Sequence, residues 1–317
     1  MDLEDISLAA ELACLLEVSA TPKPGNVHRF ASFEDLTYEN FLSSSVALGK
    51  AIRRICENSI KGKVSFGESL LESVRILKHW CKAGNTHFGT LILFIPLSLT
   101  SSKLLYTDKI SEKKLADEVK KFVQETDSQD SINFFLAASE ANVGALGRLK
   151  KKEFPDLNST NWKDKILEEN ITLFKIMSYS SNYDLVAREF SKGFEISFKS
   201  YHILLSYYRK FKDINLAIVH TFLEIMSKYP DTLIARKIAL RKSVYLEVYF
   251  QEGLEISKKY SERAKKILEL GGLNSKKGIE ALVKMDEELR KNKLNPGSIA
   301  DITACSIFLA LLFGLRI

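Results

Sequence analysis

A chain of 317 residues with 45% hydrophobic and 27% charged residues has the make-up of a globular protein rather than a disordered one. That length buries a core without help from disulfides or a structural metal. The net charge of +6 suits an anionic partner, but the lysines are scattered and the longest basic run is Lys150-Lys151-Lys152, so a nucleic-acid-binding face is not expected.

Helical periodicity dominates from the start. The chain begins Met1-Asp2-Leu3-Glu4-Asp5, acidic where a signal peptide is basic, so a cytoplasmic location is expected. The spacing of Ile6, Ala10, Ala13 and Leu16 predicts a helix over 3–19. It ends in Glu17-Val-Ser-Ala-Thr-Pro-Lys-Pro-Gly-Asn-Val-His-Arg29, where two prolines stop the helix and Gly25 permits an unusual turn. Lys23, His28 and Arg29 then project from a stiff loop, which is either a helix-ending linker or a phosphate clamp. Phe33-Glu34-Asp35 follows. Its adjacent carboxylates suit Mg²⁺, although acids that complement the dipole of the next helix are the simpler account.

Further helices are predicted over 41–56 and 70–81. Gly84-Asn85-Thr86-His87-Phe88-Gly89-Thr90 then leads into an apolar run over 91–99. Small polar residues at a helix start present backbone N–H groups to anions, and His87 is a candidate acid or base there. The run is too short to span a membrane and carries Pro96. Helices follow over 117–125, 133–149, 162–177 and 185–209, with a polar linker or surface loop at 150–161. Asp184 and Arg188 read as a surface ion pair of little consequence.

The helix at 214–227 is apolar on most faces and should be central. Beyond it, Tyr229-Pro230-Asp231-Thr232 puts Asp231 in position to cap the next helix, with Arg236 one turn on to pair with Asp231 or with phosphate. Helices are predicted over 233–250, 254–270 and 275–291. The last, over 299–315, opens at Asn295-Pro296-Gly297-Ser298-Ile-Ala-Asp301, where Ser298 and Asp301 fit a capping box. Asp301 would also sit in a low dielectric and be able to hold metal. No repeat and no strand alternation bounded by turns interrupts this pattern, so one all-α multi-helix domain over 1–317 is expected, with its site at inter-helix loops. Cys14, Cys56, Cys81 and Cys305 form no Cys-x-x-Cys pair and read as reduced, buried and inert.

The order of these segments resembles the ATP:dephospho-CoA triphosphoribosyltransferase family, which builds the prosthetic-group precursor of citrate lyase. The matching positions are Glu17, Val18, Thr21, Pro22, Lys23, Pro24, Gly25 and Val27, then Gly84-Asn85-Thr86-His87, Asp231, Thr232 and Arg236, and finally Pro296, Gly297, Ser298, Ala300 and Asp301. They span nearly the whole chain. His28 stands where the family commonly has Asp, Ser32-Phe33-Glu34-Asp35 replaces a His before an Asp-Met pair, Phe88 replaces a lysine, and Ile299 breaks the C-terminal motif. The chain resembles a divergent, archaeal-like branch.

The resemblance implies that the 2′-hydroxyl of 3′-dephospho-CoA attacks the anomeric carbon of the ATP ribose and releases adenine, with Mg²⁺ as cofactor. It implies His87, Glu17 and Asp231 as catalytic groups. Lys23, Gly25, His28, Arg29, Asn85, Thr86, Arg236, Gly297 and Ser298 would bind substrate, and Glu34, Asp35, Asp231 and Asp301 the metal. Partners would be ATP and a CoA-derived or other small-molecule acceptor, with no nucleic acid or membrane; a homodimer is compatible with the sequence. Two other readings stand beside it: a related Mg²⁺-dependent nucleotide-ribosyl transfer to a different acceptor, and a non-catalytic helical nucleotide-binding protein.

Overall fold

A computed structural model describes residues 1–62, 64–107, 110–144 and 159–317. Among them every named element is a helix, and the sole strand-like feature is a bridge between His28 and Ala31. The first half comprises α1 (Leu3–Ser19), α2 (Tyr38–Ser59), α3 (Phe66–Trp80), α4 (Phe88–Thr107), α5 (Glu112–Gln124) and α6 (Ser128–Glu140). Short helices α7 (Trp162–Glu168), α8 (Leu173–Ser180) and α9 (Leu185–Lys192) lead to α10 (Glu195–Phe211) and α11 (Ile214–Lys228). The chain ends with α12 (Thr232–Leu240), α13 (Leu246–Glu269), a 3₁₀ turn at Gly272–Asn274, α14 (Lys276–Lys291) and α15 (Gly297–Leu312). The basic run 150–152 and the predicted helical stretch beyond 144 lie outside the described residues.

The main core draws on residues from Ile6 to Leu315, so the two ends of the chain pack into the same interior. The most apolar helices, α4 and α15, cross within it, and Phe94 and Phe308 stack at 4.5 Å between centroids. Each such buried ring contributes about 1.5–3 kcal/mol by leaving water. The predicted run at 91–99 is part of a 20-residue helix long and apolar enough to cross a membrane, yet 83% of its apolar window is buried by the rest of the chain. Pro96 does not stop α4. Its carbonyl accepts a bond from Thr100 Oγ1 at 2.7 Å, and the surrounding helices fix the segment. α11 is central as expected, with nine of its side chains buried from Ala217 to Met226.

Several boundaries differ from the periodicity, among them the predicted helix over 233–250, which is interrupted between Leu240 and Leu246. The stretch 185–209 breaks into α9 and α10 at Gly193 (φ 77°) and the fully buried Phe194 (φ 62°). Glu189 supports the break by accepting from Ile196 N–H at 2.8 Å and Ser197 N–H at 2.7 Å. The stretch 162–177 breaks at Asn170, also left-handed at φ 46°, before Thr172 caps α8. By contrast, α13 runs through Gly253, where a side chain would come within 2.2 Å of the Ala235 carbonyl. Gly253 thus marks a close helix crossing rather than a helix end. All four cysteines are buried and free.

Candidate active site at the helix N-termini

Three segments distant in sequence meet where α9, α12 and α15 begin. Thr232 Oγ1 accepts from Leu185 N–H at 2.9 Å and lies 3.1 Å from Ser298 Oγ. Asp231 is fully buried and fixes the junction. One oxygen caps α12 at Ile234 N–H (2.9 Å), and the other accepts from Ile299 N–H of α15 (2.9 Å). The capping expected of Asp231 is therefore present, with a second helix attached. Burial pushes its carboxyl up to about 6, against the opposing pull of those N–H groups and of Arg236.

Arg236 pairs with Asp184 at 2.8 Å, and Asp184 also caps α9 through Val186 and Ala187 N–H. So Asp184 is not half of a surface pair with Arg188, whose guanidinium instead lies over the Tyr229 ring. The expected capping box at the start of α15 is absent: neither Ser298 nor Asp301 caps that helix, whose first turn is held instead by Asp231 through Ile299 N–H. Ser298 turns to Thr232, and Asp301 turns to α4, where it accepts from Thr90 Oγ1 at 2.6 Å across 211 positions of sequence. Gly89 makes room for it, since a side chain there would lie 2.1 Å from Asp301 Oδ2. Gly297 is equally confined, with Leu233 2.6 Å from where its Cβ would be.

Burial pushes the Asp301 carboxyl up to about 8, and the charges of Glu17, Asp184 and Asp231 add to the rise against the Thr90 hydrogen bond. Glu17 comes from the end of α1. Its carboxylate and its carbonyl both accept from Lys23 Nζ, and Lys23 has no exposed surface. Burial lowers the Lys23 ammonium's basicity, and Glu17 counters it. Lys23 is thus a structural partner of Glu17 and does not present its charge to solvent.

The loop after Lys23 is anchored to α14. Gly25 (φ 77°) donates to Asp286 Oδ1 at 2.7 Å, and any side chain on it would meet Pro296 at 2.9 Å. Asp286 also accepts from Arg290 Nε at 2.9 and 3.0 Å, and Arg290 Nη2 donates to the Asn26 carbonyl. Burial alone would raise the Asp286 carboxyl, but the His28 ring, Arg290 and Gly25 N–H hold it below its ordinary value. His28 is buried, with Nδ1 3.0 Å from Thr21 Oγ1. Arg29 is exposed, as are Glu34 and Asp35; Asp35 is sensed by Lys237, which also senses Asp231.

His87 lies inside the fold at the start of α4. It is 4% exposed, edge-on to Phe41, with Nε2 3.2 Å from Ser45 Oγ. Burial pushes its pKa down to about 4, so it stays neutral and holds α4 to α2. Asn85 caps α4 by accepting from Phe88 N–H at 2.9 Å, and Thr86 beside it is half-buried. Sequence reasoning misread Asp184 as a surface acid, quoted Gly89 and Thr90 without giving them a role, and overlooked Asp286 and Arg290. An Asp before a helix and an Asp/Arg pair one turn apart are weak signals, because surface helices carry both in number.

Among the described residues no group of three His, Cys, Asp or Glu side chains is arranged to hold a metal alone. Mg²⁺ requires less, since it is held by one or two carboxylates, several waters and the phosphates of its substrate. Both Asp231 oxygens are engaged by backbone, whereas Asp301 gives one oxygen to Thr90. Asp301 therefore fits such an ion better than Asp231 does.

These features define an all-helical protein whose polar centre is a carboxylate-rich junction of helix starts, a setting suited to a ligand that brings cations and phosphates together. Comparison with known proteins places it further. The family profile described as ATP:dephospho-CoA triphosphoribosyl transferase matches residues 3–316, and the chain belongs to that family. Among its relatives, the 2-(5''-triphosphoribosyl)-3'-dephosphocoenzyme-A synthase of Escherichia fergusonii is 23% identical, covering 98% of this chain and 91% of its own length. The Klebsiella pneumoniae protein of the same description is 22% identical with the same coverage. A crystal structure from Archaeoglobus fulgidus, assigned as a triphosphoribosyl-dephospho-coA synthase, superposes with a TM-score of 0.63. It shares 27% identity and covers 87% of this chain and 100% of its own.

Proposed function

We propose that this protein transfers the 5-triphosphoribosyl group of ATP to the 2′-hydroxyl of 3′-dephospho-CoA and releases adenine, with Mg²⁺ accompanying the triphosphate. The observation that carries the reading is the junction itself. Glu17, Asp184, Asp231 and Asp301 are close enough that the first three raise the Asp301 carboxyl, so a cation brought by the substrate would displace the Asp301 proton and meet a carboxylate.

In the reaction a bond forms between the acceptor's 2′-oxygen and C1′ of the ATP ribose while the C1′–N9 bond breaks. The hydroxyl proton is lost to a base, and adenine, which takes the C1′–N9 electron pair, gains one proton at nitrogen as it leaves, so the protons balance. Charge builds on the ribose as in glycoside cleavage, so carboxylates beside it favour the transition state. Asp301, with Asp184 beside it, would hold Mg²⁺, which neutralises phosphate charge and orients the triphosphate. Glu17, fixed by Lys23 and close to Asp301, would take the hydroxyl proton. Arg236, fixed by Asp184, supplies positive charge at the same place.

The test is release of free adenine from ATP with Mg²⁺ and dephospho-CoA, followed for the natural protein and for Asp301→Asn. Adenine release by the former and at least a hundredfold less by the latter is expected. Equal rates would overturn the role of Asp301, and no release by the natural protein would overturn the reaction.

A further inference from the structure

The 21–31 loop is pinned at several points. Asn215 of α11 accepts from Thr21 N–H at 2.7 Å and donates to its carbonyl at 2.8 Å. Asp286 holds Gly25, and Arg290 holds the Asn26 carbonyl. His28 and Ala31 exchange backbone bonds at 3.0 and 2.9 Å. After all these bonds are made, three buried side-chain nitrogens in this one network have no partner: Asn26 Nδ2, His28 Nε2 and Arg290 Nη1. Asn26 and His28 are 5% and 4% exposed.

All three are donors. Phe30 N–H points to His28 Nδ1 at 3.3 Å, so Nδ1 accepts and the ring hydrogen sits on Nε2. That hydrogen faces Asp286 Oδ2 at 3.9 Å, beyond hydrogen-bond reach. Asp286 is already engaged by Gly25 and Arg290. A buried N–H without an acceptor is costly, and native proteins leave few of them. A water molecule offers two lone pairs and brings two hydrogens that need acceptors of their own. A phosphate oxygen group brings acceptors only, and Arg290 adds charge assistance.

We propose that Asn26, His28 and Arg290 form a subsite for a phosphate group of the reaction's substrates. The identity of the ligand rests on the transfer reading above; the donor set does not. The three nitrogens are shielded from solvent, so the group enters by displacing the segment just beyond the loop. There Phe33 covers the Arg290 guanidinium at 5.5 Å, while Arg29 and the 78%-exposed Phe30 lie open. The phosphate belongs either to the ATP triphosphate or to the diphosphate of dephospho-CoA.

Asn26 gives the cleanest probe, because its carbonyl, not its side chain, anchors the loop. Asn26→Ala and Asn26→Asp would be titrated calorimetrically with ATP, dephospho-CoA and adenosine, with thermal midpoints recorded. The expected result is weakening of ATP or of dephospho-CoA by about tenfold or more, a larger loss for Asn26→Asp, and unchanged adenosine binding. The ligand that weakens identifies the source of the phosphate. Unchanged binding of both phosphate ligands overturns the subsite, as does an equal loss for adenosine. Adenine release by the natural protein is scored separately, so the subsite and the transfer reaction stand or fall independently.

Discussion

Replacing Asp301 with Asn should reverse a pH-dependent strain at the centre of the junction. In the unfolded chain this carboxyl ionises near 3.8, whereas in the folded protein burial and neighbouring carboxylates move it to about 8. The folded state therefore binds more protons than the unfolded state between those values. Stability from this group is full below about pH 4 and is lost as pH rises towards 8. The loss runs at about 1.4 kcal/mol per pH unit, and a shift of roughly four units sets an upper bound of about 6 kcal/mol. Solvent reaching the partly exposed carboxyl reduces that figure. Asparagine keeps an oxygen for Thr90 and does not titrate. The difference in unfolding free energy between Asp301→Asn and the natural protein should thus be small at pH 4.5 and grow in the variant's favour to several kcal/mol at pH 8.5. Urea unfolding at fixed ionic strength measures it, provided the denaturant slopes agree. Parallel stability curves across that range would refute the reasoning.

Lys23→Met should destabilise the fold by about 3–5 kcal/mol, because it strands the buried Glu17 carboxylate, and adding Glu17→Gln should restore most of the loss in the same denaturation assay. A cost below about 1 kcal/mol for Lys23→Met would mean that the pair is not buried as described. Gly89→Ala should leave no room for Asp301 Oδ2 and lower adenine release by at least tenfold; an unaffected rate would show that Asp301 is not needed where it sits. His87→Gln keeps a donor for Ser45 and should retain kcat within about fivefold, with no change in the pH–rate profile between 5 and 8. A loss of about a hundredfold or more would return His87 to the chemistry. Gly25→Ala should lower stability by about 1–3 kcal/mol, read as a fall in melting temperature, since φ 77° and the nearby Pro296 both oppose a side chain.

The helical architecture was legible because 3.6-residue periodicity survives in nearly every element. The breaks that escaped it have a common cause: Phe194 and Asn170 adopt left-handed backbone, and an apolar Phe in that conformation keeps the hydrophobic spacing intact while the axis turns. The site was legible as a set of segments but not as a set of roles. Asp231 capped its helix as the local sequence implied, yet its second oxygen reaches Ile299, a contact no local pattern encodes. Ser298 and Asp301 matched a capping box, but two side chains from elsewhere, Thr232 and Thr90, outcompete the local bonds. Lys23 looked like a phosphate ligand because its charge is visible in sequence and its burial against Glu17 is not. Asp286 and Arg290 drew no notice because the loop that they hold lies more than 250 residues away in sequence.

The most direct test of the account is the mass of the product formed from ATP and dephospho-CoA in the presence of Mg²⁺. The account predicts an acceptor enlarged by one triphosphoribosyl unit, formed mole for mole with free adenine. An acceptor that gains phosphate or a whole nucleotide, with adenine still attached to its ribose, would contradict it.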